Sequence, residues 1–274
     1  MSLKSPLFRR IPAWVLGGSL SLALMAQAPR LERSESRPVT EATASDPAIQ
    51  KLLEPYQQEI RQHFDRPLTT CPEGMFRGRG FAEENKLGYW VADLMRKKAE
   101  QLLGRGVKFA ITNSGGLRAN LRAGVVKVGS IFEVMPFENE LMVAEFTGAQ
   151  VVQIVKDGLN RRAGEPTSGV IVKVTGTLEK PEVSITWEDG TAIRPDEVVT
   201  VAATDYLLSS GDGMSTIRNG KNPMVTGTRV RDVLLEACAK AGKLESPLIA
   251  PAGGRYVFAS QELYQALRER KLKL

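Results

Sequence analysis

Apolar residues along this chain follow two rhythms, one near 3.6 residues and one of two, and their alternation predicts the architecture. Helical spacing appears first at Ile49, Leu52, Leu53, Tyr56, Ile60 and Phe64, behind an Asp46-Pro47 start and with a kink expected near Pro55. A longer stripe of Leu87, Trp90, Val91, Leu94, Met95, Ala99 and Leu102 predicts a helix from about Glu83 to Leu103, ended by Gly104. Thr147 caps a third helix to about Asn160, with Val151, Val152, Val155 and Leu159 inward. Thr228 starts a fourth, to about Lys240, and Ser260 begins the last. Between the helices, 107–112, 141–146, 170–174, 183–187, 198–203 and 256–258 read as strands. Residues 67–80 read as irregular or short strands, and Val128 to Met135 as a short helix or turn. Glu188-Asp189-Gly190 is expected to turn a hairpin into the strand that starts at Val198. The resulting expectation is an α/β (mixed α+β) fold, a single domain with a mixed sheet flanked by helices. About 210 residues after the N-terminal segments suffice for one substantial core.

The N-terminal segments follow neither rhythm. Lys4, Arg9 and Arg10 precede an apolar run from Ile11 to Met25, and Ala26-Gln27-Ala28 has the small-x-small pattern of a cleavage site. Residues 1–28 therefore read as a secretory signal peptide, which implies a periplasmic or extracellular protein. An uncleaved N-terminal membrane anchor is the alternative, although the run is short of the roughly 20 residues that a span needs. The residues around Arg9-Arg10 match a twin-arginine signal poorly. Residues 29–45, rich in Ser, Thr, Arg and Glu, read as a disordered tether, and 46–66 as a separate helix ahead of the domain at 67–274.

Composition removes several function classes. The chain of 274 residues is 42% hydrophobic and 25% charged, as globular domains are. Its formal net charge of +6 falls to +3 without residues 1–28, and no Lys/Arg run carries interleaved aromatics, so a nucleic-acid polymer is not the expected partner. Histidine occurs once, at His63, beside Asp65 and Arg66 late in a helix. Two-metal hydrolytic centres, zinc hydrolases and Ser-His-Asp triads need more, so no metal, no bound cofactor and no catalytic residue is expected on this chain. Of the two cysteines, Cys238 shares an apolar helix face with Val230, Val233, Leu234 and Ala237. A buried free thiol fits it as well as a disulfide to Cys71 does.

Three loops carry chemistry instead. Asn113-Ser114-Gly115-Gly116-Leu117-Arg118 follows a buried strand, and its glycines let backbone N–H groups approach a ligand while Arg118 offers a fork for phosphate or carboxylate. Pro136-Phe137-Glu138-Asn139 and the run from Asp205 through Tyr206 to Gly211-Asp212-Gly213 each set an aromatic ring in polar surroundings. Phe137 and Tyr206 facing each other would sandwich a planar base, Asp212 would accept from vicinal hydroxyls, and Asn113 both donates and accepts. Singly, each has a plain structural reading as a core plug, a sheet-edge aromatic or a turn.

Taken together, in this order and spacing, the stretches resemble the C-terminal, nucleotide-specificity domain of the 5'-nucleotidase family. The resemblance runs from roughly Leu68 to Ala259, through Glu84 to Met95, Asn113 to Arg118, Val134 to Asn139, Phe146 to Gly148 and Tyr206 to Gly213; residues 46–64 resemble the interdomain helix. It implies that Asn113 and Arg118 contact the nucleotide, Arg118 at the phosphate, with Gly115 and Gly116 in the same turn. Phe137 and Tyr206 would stack the base, Asp212 would bind the ribose hydroxyls, and Gly169 would line the site. Two positions depart from the family pattern: Phe81 stands where an arginine is usual, with Arg77 and Arg79 out of register, and Tyr206 replaces a phenylalanine.

Full-length members carry a metallophosphoesterase domain ahead of this one, and nothing in residues 29–66 reads as such a domain. The expectation is an exported nucleotide-binding subunit of a split 5'-nucleotidase. It would hold nucleoside 5'-phosphates for hydrolysis by a separate metallophosphatase, on which the divalent metals are expected. The alternative is a non-enzymatic nucleotide or nucleoside binder without a phosphatase partner.

Overall fold

The computed structural model describes residues 34–78 and 84–274, and the chain divides into two units, Met1–Leu53 and Glu54–Leu274. The expected signal peptide at 1–28 and the positions Arg79 and Phe81 lie outside the described residues. In the first unit, residues 34–45 are exposed and lack regular structure apart from one turn. The boundary between the units falls inside α1 (Pro47–Phe64), whose N–H groups at Ala48 and Ile49 are capped by Asp46 Oδ1. No residue of α1 is buried, and the rings and branches at Ile49, Leu52, Leu53, Tyr56 and Ile60 face outward. Phe64, at its end, packs on the ring of Phe132 with centroids 4.6 Å apart.

The second unit is built on a five-stranded sheet. After β1 (Pro67–Cys71) and α2 (Lys86–Leu103), β2 (Phe109–Ile111) leads to the 113–118 turn, then to β3 (Gly124–Lys127) and α3 (Val128–Val134). Then come β4 (Glu140–Thr147), α4 (Gly148–Arg162), β5 (Thr167–Ser168), β6 (Val170–Gly176), β7 (Pro181–Trp187) and β8 (Val198–Thr204). The chain closes with α5 (Asp205–Ser210), β9 (Lys221–Arg229), α6 (Val230–Lys243), β10 (Tyr256–Phe258) and α7 (Gln261–Arg268). The central sheet has the order β5-β2-β8-β4-β9, β10-β6-β7 forms a second sheet, and β1 pairs with β3.

Period-two alternation distributes the central sheet's side chains to two cores. Phe109, Ile111, Ala144, Phe146, Val201 and Ala203 face one cluster, with α4, α7 and the second sheet. Ala110, Leu141, Val143 and Ala202 face the other, with α2 and α6. Helix ends follow the local chemistry. Thr147 and Gln150 form a capping box at the start of α4, and Gly104 ends α2 in the left-handed region, where a glycine carries no Cβ clash.

Several expectations are corrected. The turn at 188–190 forms, but it is not a hairpin into β8: β7 pairs with β6, and β8 crosses to the central sheet between β2 and β4. The fourth helix starts at Val230 rather than Thr228, because 221–229 is the edge strand β9. Residues 205–210 are helical, with Thr204 Oγ1 accepting from the N–H of Leu207 as a cap. Cys71 and Cys238 are free, buried thiols in one core cluster.

Candidate functional site

Strand direction brings the three polar loops to one edge. β2 and β8 run parallel with Phe109 opposite Val201, so the turn after Ile111 and the helix after Thr204 leave the sheet on the same side. β4 runs antiparallel to β8 with Leu141 opposite Thr204, so the loop at 136–139 enters β4 from that side too. Ligands gather at strand ends of this kind, where backbone polar groups and loop side chains are left unpaired by the sheet.

At this edge Asn113 Nδ2 donates to Asp212 Oδ2 at 2.7 Å. The phenol of Tyr206 stands 3.4 Å from Asp212 Oδ1, long for a hydrogen bond. Asn113 is buried, and its Oδ1 finds no hydrogen-bond partner. Gly115 and Gly116 lie in a single 3-10 turn, and a Cβ on Gly116 would stand 3.0 Å from Asn113 Oδ1, so the glycine makes room for the amide. Asp212 sits at φ 43° and ψ 39° between two glycines of positive φ, a left-handed path that aspartate tolerates better than most residues.

Arg118 leans toward the other aromatic, its Cζ 5.8 Å from the Phe137 ring centroid. Its Nη1 donates to Gly115 O at 3.3 Å, and no carboxylate pairs with it among the described residues. Phe137 and Tyr206 are each 42% exposed, so both rings are open to a ligand rather than spent in the core. Arg77 Nη1 donates to Leu117 O at 2.7 Å, which sets that guanidinium against the same turn.

Gly169 is not brought to this edge. β5 runs antiparallel to β2, with Ser168 opposite Ala110, which puts Gly169 across from Phe109. That is some four residues, roughly 13 Å of strand, from Asn113. The physical reason for glycine there is backbone: φ is 97°, and a Cβ would fall 2.0 Å from Lys108 O.

Four supporting residues do not stand out in the sequence. Arg161, at the end of α4, donates Nη2 to Asp212 Oδ1 at 2.6 Å and pairs through Nη1 with the buried Glu165. Glu165 Oε2 accepts from both the N–H and the Oγ of Ser114 at 2.6 Å. Tyr256 donates to Glu165 O at 2.9 Å, and burial pushes its phenol above the usual tyrosine range, so it stays a donor. On the Phe137 side, Arg231 is buried, lies 4.1 Å over the Phe132 ring and donates to Pro136 O at 3.1 Å. A lone arginine in a helix reads as a solvated face; the i,i+4 spacing of Arg161 and Glu165 is the one available signal. A cavity of about 600 Å³ shares Ser114, Arg161 and Glu165 with this cluster, but Asn113, Phe137, Tyr206 and Asp212 do not line it.

Among the described residues no three His, Cys, Asp or Glu side chains group as metal ligands, and His63 lies edge-on to Phe64 in α1.

Residues 67–219 match the family model described as 5'-nucleotidase, C-terminal domain. The chain is 29% identical over 227 residues to the trifunctional nucleotide phosphoesterase protein YfkN of Bacillus subtilis, covering 77% of this chain and 15% of that protein. It is 30% identical over 195 residues to the cell wall protein Lmo0130 of Listeria monocytogenes, covering 65% of this chain and 24% of that one. It therefore spans less than a quarter of the length of either relative. A 5'-nucleotidase precursor from Thermus thermophilus shares the fold, with a TM-score of 0.64 at 22% identity over 80% of this chain and 44% of that chain.

Proposed function

This chain belongs to the 5'-nucleotidase C-terminal domain family, and from that premise we propose that it grips nucleoside 5'-phosphates for hydrolysis by a metallophosphoesterase on a separate chain. The observation that carries the reading is the meeting, at one sheet edge, of Asn113 with Asp212 and of Arg118 with Phe137. Phe137 and Tyr206 would stack on the base. The carboxylate of Asp212 would accept from the ribose hydroxyls, and the unpartnered Oδ1 of Asn113 would accept a ligand N–H or O–H. Arg118, with no carboxylate partner among the described residues, would take the phosphate.

The reacting phosphorus would be held in place by these contacts, which is a contribution to rate through positioning. A metal centre on the partner would supply the hydroxide nucleophile. The single histidine in 274 residues is the reason for placing such a centre on a separate chain. Export fits both the signal-like residues 1–28 and the similarity to a protein named for the cell wall.

The test is hydrolysis of AMP by the purified chain, alone and mixed with candidate metallophosphatases. Metal-dependent turnover that appears only in the mixture is expected. Strong turnover by the chain alone would overturn the division of labour, and binding without stimulation of any phosphatase would favour a non-enzymatic nucleotide binder.

A further inference from the structure

The carboxylate assigned to the ribose is held by side chains from outside its own turn. Arg161 Nη2 donates to Asp212 Oδ1 at 2.6 Å, and Arg161 Nη1 pairs with Glu165 Oε1. Glu165 Oε2 accepts from Ser114 N and Ser114 Oγ, each at 2.6 Å. One residue back, Asn113 Nδ2 donates to Asp212 Oδ2 at 2.7 Å. The contacts close a ring that runs Ser114, Glu165, Arg161, Asp212, Asn113. It ties the end of α4 to two of the three loops.

We propose that Arg161 and Glu165 are positioning residues that aim the Asp212 carboxylate at vicinal hydroxyls and so set the preference for ribose over deoxyribose. The inference rests on the nucleotide reading of the site. Asp212 stands between Gly211 at φ 73° and Gly213 at φ 85°, so neither chain neighbour offers a side chain to brace its carboxylate. One close donor on each oxygen, with the Tyr206 phenol at a longer 3.4 Å from Oδ1, fixes the carboxylate plane and leaves acceptor capacity for a diol. Both donors come from outside the 211–213 turn, so the turn alone does not set the aim.

The arginine is also fitted to the loop it holds. A Cβ on Gly213 would come 3.0 Å from Arg161 Nε, so the guanidinium lies against backbone that only glycine leaves open. A planar fork can serve Glu165 and Asp212 at once, whereas a lysine ammonium, a compact point charge, would serve such a pair poorly. Glu165 has a side chain of 0% relative exposure and Arg161 one of 13%, so the pair is shielded and its geometry is fixed by packing.

The experiment titrates adenosine and 2',3'-dideoxyadenosine into the parent chain, Arg161→Gln, Arg161→Lys and Glu165→Gln by calorimetry, with melting curves for each. The parent is expected to prefer adenosine. Arg161→Gln should lower that preference about tenfold, with dideoxyadenosine affinity nearly unchanged, and Arg161→Lys should fall between. A purely structural role would weaken both ligands alike and keep their ratio, which would overturn the proposal. Should Arg161→Gln not fold, the same ratio in Arg161→Lys and Glu165→Gln decides it. A parent that binds both ligands equally would overturn the inference. A parent that binds neither would bring down the nucleotide reading as well, and an unchanged ratio in variants of a discriminating parent would overturn the positioning alone.

Discussion

Asn113 and Asp212, 99 residues apart in sequence, are joined side chain to side chain at 2.7 Å. The bond is possible because β2 and β8 are parallel neighbours whose ends coincide, so the turn after one strand meets the turn beyond the other. The Asn113 amide is thus paired on its donor side, while its Oδ1 is buried without a hydrogen-bond partner.

The aromatic rings should contribute to affinity and little to stability. Phe137→Ala and Tyr206→Ala are each expected to weaken AMP binding by roughly 1–3 kcal/mol. Both rings are half exposed, so thermal melting should barely move. Calorimetry and a melting curve on the same samples check both halves.

Arg118 should read the phosphate. Arg118→Ala is expected to weaken AMP far more than adenosine, by roughly 1.5–3 kcal/mol for a charge-assisted contact. Equal losses for the two ligands would place the guanidinium away from the phosphate.

Gly169 gives the opposite pattern. Gly169→Ala forces a side chain onto φ 97° and toward Lys108 O, so a stability loss of roughly 1–3 kcal/mol is expected in urea melts. AMP affinity of the folded fraction should be unchanged, and a large drop would return Gly169 to the site.

The thiols give a pH signature. Burial, with the neighbouring Cys71 adding to it, pushes Cys238 up to about 12 from an ordinary 9.0. A raised folded value means the contribution is intact below about 9 and is lost as pH rises from there toward 12. The parent should therefore lose more stability than Cys238→Ala between those limits. Cys238 should also resist thiol reagents at pH 8 until the chain unfolds.

Much of the fold was legible because local chemistry and burial agree. The stripe from Leu87 to Ala99, the Thr147 cap and the Ser260 cap are realised where the sequence puts them. β9 was not legible, since an edge strand containing Pro223 and Gly227 has no buried face to give it a period. The hairpin expected at 188–190 failed for a different reason: a turn signal fixes local direction, while the partner of the next strand is set by the sheet. At the site, residue types with unusual chemistry stood out in the loops. Arg161, Glu165 and Arg231 did not, because only the tertiary structure buries them.

Calorimetric titration of AMP into the full chain tests most directly whether a nucleoside phosphate binds at this edge. Saturable binding at a single site is expected, abolished when Phe137 and Tyr206 are both replaced by alanine. A parent chain that gives no saturable heat at millimolar AMP, or a double variant that binds as the parent does, would contradict it.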